Sequence, residues 1–150
     1  MIDDAAWQSF ADCYIASQAY RELGFTREAT GQMMLALAKP DVGQWRRQLL
    51  FELGVLQKKA GQIRQAIATF ELLTGTPDRW RTESLENLVA MYADQGDIQQ
   101  CVDGCRLLWQ SDLNDHQKAV TLMVLGRAFQ LQGEHHSAAL CFAGIMPEIF

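Results

Sequence analysis

Three prolines in 150 residues leave few points where a helix must break. No Asn-Gly pair marks a tight hairpin, and period-two alternation is scarce. Both shortages disfavour sheets and favour helices. No Lys/Arg run occurs and the formal net charge is -5, so a surface that tracks nucleic-acid phosphates is not expected. No apolar run approaches the roughly 18 residues a membrane span needs. The opening MIDDAAWQSF is acidic and lacks the basic stretch and apolar core of a signal peptide. A cytoplasmic setting is therefore expected. A Gly-rich phosphate loop, a His-Glu zinc motif and a Ser nucleophile elbow are all missing, which argues against an enzyme.

What is present is apolar. Hydrophobic residues make up 49% of the chain, and 150 residues suffice for one ordinary domain, 1–150, without disulfides or a structural metal. The four cysteines, at 13, 101, 105 and 141, sit mostly in apolar helical settings and read as reduced, buried thiols.

Glycines recur at Gly24, Gly61, Gly96 and Gly133, at spacings of 37, 35 and 37, each inside a polar bend: ELGFT, KAGQI, DQGDI and LQGEH. A glycine can end a helix with positive φ, which other residues reach only at a cost. The flanking positions repeat in register. Eight before each glycine stand Ala16, Leu53, Leu88 and Leu125; seven before, Ser17, Gly54, Val89 and Gly126; four before, Tyr20, Gln57, Tyr92 and Phe129. Five after come Ala29, Ala66, Cys101 and Ala138; nine after, Met33, Phe70, Cys105 and Phe142; twelve after, Ala36, Leu73, Leu108 and Ile145. The offsets trace helix faces, with small residues where two helices approach closely and large ones where a gap is filled.

On these residues the sequence resembles the tetratricopeptide repeat family. The match is fullest in the second unit (Leu53, Gly54, Gly61, Ala66, Phe70) and the fourth (Leu125, Gly126, Phe129, Gly133, Ala138, Phe142), and weakest in the first. The resemblance implies an all-α, right-handed superhelical solenoid of about four helix-turn-helix repeats, in units of about 4–40, 43–77, 78–112 and 115–150. The expected helices are 4–22, 26–39, 43–59, 63–74, 78–94, 98–110, 115–131 and 135–146, with Asp78 and Asp115 as cap or first-turn residues.

Chemistry-bearing residues have simpler explanations. His135 and His136 are adjacent, so their side chains point about 100° apart on a helix, and a solvated helix start explains them better than a metal site. Cys101 and Cys105 lie four apart in core positions of the repeat, and no histidine is placed to activate them. Glu83 and Glu86 read as a solvated charged face. No cofactor and no metal is expected.

The resemblance places residues 13, 10, 9, 6 and 3 before each bend glycine on the concave face. From that face the expected partner-binding set is Tyr14, Gln18, Arg21, Phe51, Val55, Lys58, Asn87, Val120, Met123, Val124 and Arg127. Family members that clamp the carboxylate end of heat-shock chaperones use a Lys/Asn pair and a second Asn. Here Tyr14 and Gln18 stand for that pair and Glu52 for the second Asn, and Glu52, Glu83 and Glu86 would repel an acidic peptide. Tyr14, Phe51, Val55, Val120, Met123 and Val124 instead form an apolar strip with basic ends at Arg21, Lys58 and Arg127, suited to an apolar or amphipathic segment of a partner protein.

The expected function is thus a non-enzymatic protein–protein interaction scaffold. One version is a module of a larger secretion or export scaffold. Another is a free-standing chaperone like the repeat-containing ones of type III secretion. A third, of a different class, is a thiol or metal sensor on Cys101, Cys105 and Cys141. The apolar ALCFAGIMPEIF ending, with Trp7 and Phe10 at the front, also raises a homodimer through uncapped ends.

Overall fold

The computed structural model describes residues 9–147. The expected helical residues 4–8, Trp7 among them, and residues 148–150 lie outside the described residues. Among the described residues there are eight α-helices and no strand. They pair as four hairpins: α1 (Phe10–Glu22) with α2 (Thr26–Leu37), α3 (Arg46–Lys59) with α4 (Ile63–Glu71), α5 (Arg79–Asp94) with α6 (Ile98–Trp109), and α7 (Asp115–Leu131) with α8 (His135–Phe142). The chain divides between Leu73 and Thr74 into two compact units of two hairpins each. In the first unit α2 also packs on α3; in the second, α6 packs on α7 and α5 touches α7.

The four bend glycines explain the hairpins. Gly24, Gly61, Gly96 and Gly133 take φ of 81°, 79°, 77° and 80°. Gly24 N–H donates to Arg21 C=O and Phe25 N–H to Tyr20 C=O, the paired bonds that close a helix through a left-handed residue. The same pair recurs at the other three bends. Phe25, Gln62, Asp97 and Glu134 then accept the first backbone bond of the following helix through their own carbonyls. One residue thereby closes one helix and opens the next, so no side-chain cap is needed there.

Where a hairpin begins afresh, side chains do the capping. Ser9 and Asp12 form a reciprocal capping box on α1, Asp78 accepts the Arg81 N–H at the start of α5, and Asn114 forms a box with Gln117 on α7, leaving Asp115 in the first turn. The second helices are shorter than their apolar spacing suggests. α8 stops at Phe142 rather than 146 because Gly144 turns left-handed at φ 84°, with Ile145 N–H bonded back to Leu140 C=O. α2 and α4 end in tightened turns, where Lys39 N–H reaches Ala36 C=O and Leu73 N–H reaches Phe70 C=O.

Packing inside three of the hairpins turns on one small residue facing one larger one. A Cβ added to Gly54 would lie 2.6 Å from the Phe70 ring, and one added to Gly126 would lie 2.8 Å from the Phe142 ring. The third hairpin inverts the arrangement: Val89 occupies the glycine register of α5, and the missing Cβ is on α6, at Gly104, 2.6 Å from Val89 Cγ1. In the first hairpin Ser17 takes that register and donates to Ala29 C=O at 2.7 Å, tying α1 to α2. Gln57 and Thr69, both buried, join α3 to α4 through a 2.6 Å hydrogen bond. The alanine-like registers Ala29, Ala66, Cys101 and Ala138 are all buried, as are Met33, Phe70 and Cys105. At the end of α8 and just beyond it, the matching Phe142 and Ile145 are 54% and 52% exposed: α2 is covered by α3 and α6 by α7, but no described element follows α8.

Candidate functional site

The expected binding residues lie on the first helices of the hairpins, and each unit presents its own pair. In the first unit α1 and α3 are joined across their faces by one carboxylate. Glu52 Oε1 accepts from the Tyr14 hydroxyl at 3.0 Å and from Gln18 Nε2 at 3.2 Å, while the Arg21 guanidinium stands 3.9 Å away. Three expected site residues therefore converge on Glu52, which the expected set did not include. The Tyr14 hydroxyl titrates above its ordinary value of 10.0, through burial first and then the Glu52 charge beside it. Glu52 Oε2 is buried and has no hydrogen-bond partner, and the side chain as a whole is 18% exposed.

Next to this carboxylate is a mostly apolar pocket of about 330 Å³, lined by Phe10, Ala11, Tyr14 and Ile15 of α1 and by Trp45, Gln48 and Leu49. Ile15 is 65% exposed and Trp45 is exposed, so the pocket mouth is apolar and open. Sequence reasoning placed Tyr14 here but left Trp45 and Leu49 out of the site. Trp45 belongs to a short 3₁₀ turn, Gly43–Trp45, ahead of α3, and that turn lies outside the repeating helix pattern.

Phe51 and Val55, expected on the open strip, are half-buried. Phe51 packs its ring on Phe70, 5.7 Å between centroids and tilted by 54°. It serves the hairpin as much as any surface. Lys58 is exposed at the end of α3.

In the second unit α7 exposes Val120 and Met123, with Val124 half-buried beside them. Asn87 donates to the Glu83 carbonyl on its own helix at 2.9 Å. The acidic residues are engaged: Glu83 pairs with Arg79 at 3.1 Å, and Glu86 accepts from Gln117 Nε2 at 2.8 Å across α5 and α7. Arg127 stands 3.8 Å from Asp94, both well exposed. Two of the three expected basic ends, Arg21 and Arg127, thus have internal carboxylate neighbours.

The remaining candidates are placed as follows. His135 and His136 are exposed in the first turn of α8. Cys13, Cys101, Cys105 and Cys141 are in no disulfide, and all are buried. Cys105 titrates well above the ordinary thiol value of 9.0, because its hydrogen bond with Cys101 and its burial hold the proton on; burial also raises Cys141. Among the described residues no group of three or more His, Cys, Asp or Glu is arranged to hold a metal ion. Among the same residues no helix is long and apolar enough to cross a membrane.

No protein-family model matches the chain, and no curated protein matches it. Solved structures do match. A tetratricopeptide repeat protein from Parabacteroides merdae ATCC 43184 superposes with a TM-score of 0.78 at 18% identity, over 92% of this chain and 52% of that one. A kinesin-light-chain protein of Podosopora anserina with nearly identical TPR-like repeats gives 0.70 at 18% identity, over 90% of this chain and 72% of that one. BtubC (BKLC) from P. vanneervenii gives 0.63 at 18% identity, over 89% and 60%. The chain thus spans about half the length of the first of these proteins. The fold of this chain is that of the tetratricopeptide-like repeat proteins, as its glycine register implies.

Proposed function

We propose that the chain is a non-enzymatic protein-interaction scaffold. Its ligand is an apolar or amphipathic segment of a partner polypeptide, bound on the faces of the first helices of its hairpins: α1 and α3 in one unit, α5 and α7 in the other. The observation that carries this reading is the open apolar pocket between α1 and the start of α3, whose mouth carries Ile15 and Trp45. A large apolar pocket with a few polar groups at its rim is the usual form of a binding site. The repeat fold supports the reading by analogy, since such arrays present faces of this kind to other chains. Val120 and Met123, exposed on α7, favour a second version: a small chaperone that holds apolar client segments, because a flexible thioether adapts to varied shapes. A module within a larger secretion or export scaffold would use the same faces.

The test compares affinity capture by the wild-type chain with capture by an Ile15→Glu, Met123→Glu variant. Both side chains are mostly exposed, so the fold is preserved while the apolar faces gain charge. A partner lost by the variant supports the proposal. A partner retained equally by both proteins binds elsewhere. Light scattering on the same samples reads out a homodimer through Phe142 and Ile145.

A further inference from the structure

We propose that Glu52 sets the specificity of the first unit. It selects a partner segment that places a large apolar side chain in the pocket and a cationic side chain, Lys or Arg, against the carboxylate beside it. This rests on the groove-binding reading above and adds the chemistry of the occupant.

The pocket and the carboxylate are successive layers of one surface. Tyr14 and Gln48 line the pocket; Gln18 and Glu52 lie one helical turn further along α1 and α3, a rise of about 5.4 Å. Tyr14 joins the two layers, with its ring in the pocket wall and its hydroxyl on Glu52.

Glu52 is an incompletely satisfied acceptor. Its Oε1 takes both neutral donors, Tyr14 and Gln18, and its Oε2 is buried without a partner. Arg21 stands at 3.9 Å, beyond hydrogen-bond length, and is 39% exposed, so it does not meet that need. Oε2 itself is closed to solvent, so a partner's cation meets the carboxylate where the side chain is 18% exposed, and there it faces a charge held by neutral donors at 3.0 and 3.2 Å and by Arg21 only at 3.9 Å. Because the acceptor is ionised, a guanidinium or ammonium gains more than a neutral amide does.

Charges of both signs stand around the pocket, with a carboxylate at each end. Among the described residues no charged side chain lines it. Asp41 accepts the Phe10 N–H at its far end at 3.2 Å, so carboxylates bracket the apolar cavity. Arg46, exposed beside Trp45, is a cation at that end. The same carboxylate excludes acidic segments, since Glu52 already takes the Tyr14 and Gln18 donors that an incoming carboxylate would need.

The distance between the layers fits residues four apart on a helix or two apart in an extended chain. The probes are two fluorescein-labelled peptides with blocked ends. One is an alanine-based helix with Trp and Arg four apart; the other is a Gly/Ser chain with Trp and Arg two apart. Fluorescence polarisation is expected to show at least one of them bound about tenfold more tightly than its Arg→Glu counterpart. In Glu52→Gln that preference is expected to fall to about twofold or less, while Glu52→Asp, which keeps the charge, retains most of it. Thermal melts check that both variants fold. An Arg preference that survives Glu52→Gln overturns the inference, as does one lost equally in Glu52→Asp. Binding that depends on Trp but ignores Arg overturns this inference and leaves the groove reading intact. Binding of neither peptide also overturns it, and the capture experiment then judges the groove separately.

Discussion

Gly54 faces the ring of Phe70 so closely that a single added carbon would sit 2.6 Å from Cε1 and 2.8 Å from Cζ. The contact joins the two helices of the second hairpin, and Phe70 is fully buried. The ring cannot withdraw without disturbing the core around it. Gly54→Ala is therefore expected to lower stability by about 1–3 kcal/mol in urea unfolding. Gly126→Ala makes a similar overlap with Phe142, but that ring is half exposed and can swing aside, so a smaller loss is expected. Equal losses at the two sites would contradict this account.

The inverted third hairpin offers a sharper test. Gly104→Ala meets Val89 Cγ1 at 2.6 Å, and Val89→Ala removes that atom. The two substitutions should be less harmful together than their sum, with a coupling of about 0.5–3 kcal/mol in a double-mutant cycle. Additive losses would mean that the two side chains do not share the gap.

The buried Gln57–Thr69 hydrogen bond predicts an asymmetry. Thr69→Ala leaves the Gln57 Oε1 without its donor in a closed interior and is expected to cost about 1–3 kcal/mol. Replacing both residues at once, as Gln57→Leu with Thr69→Val, should be much closer to neutral. Urea midpoints of the two variants decide the matter.

The thiols set an alkaline limit. Cys105 is raised above its ordinary value of 9.0 in the folded chain, so above about pH 9 the unfolded chain releases a proton that the folded chain keeps. Its contribution to stability is fully present below that pH and is lost as pH rises, at up to about 1.4 kcal/mol per pH unit. Urea midpoints between pH 8 and pH 10.5 should fall more steeply in the wild type than in Cys105→Val. Parallel curves would show that Cys105 ionises alike in both states.

Tyr14 reports on the carboxylate it touches. Its hydroxyl titrates above 10.0, and Glu52 contributes through both its charge and its hydrogen bond. In a background of Tyr20→Phe and Tyr92→Phe, the phenolate absorbance of Tyr14 should appear at higher pH than in a denatured control. Glu52→Gln should move it downward. No movement would place the Glu52 charge elsewhere.

The glycine register and its flanking offsets determined the hairpins. A left-handed residue recurring every 35 to 37 positions between apolar helix faces leaves the backbone few alternatives, and helix boundaries follow from such local rules. Even so, the left-handed turn at Gly144 cut α8 short, because a glycine beside apolar residues reads as helix until its φ is known. Side-chain partnerships were decided only by tertiary structure. Val89 stands in the register of Gly54 and Gly126, and only the fold shows that Gly104, fifteen positions away, supplies the missing space. Glu52 read as a repelling charge on an open wall; in the fold it gathers Tyr14, Gln18 and Arg21, from a helix more than thirty positions earlier. Periodicity specifies which face of a helix a residue occupies, because that depends on its own backbone. What the residue meets there depends on how the next helix crosses it, and that contact is set by packing across the core.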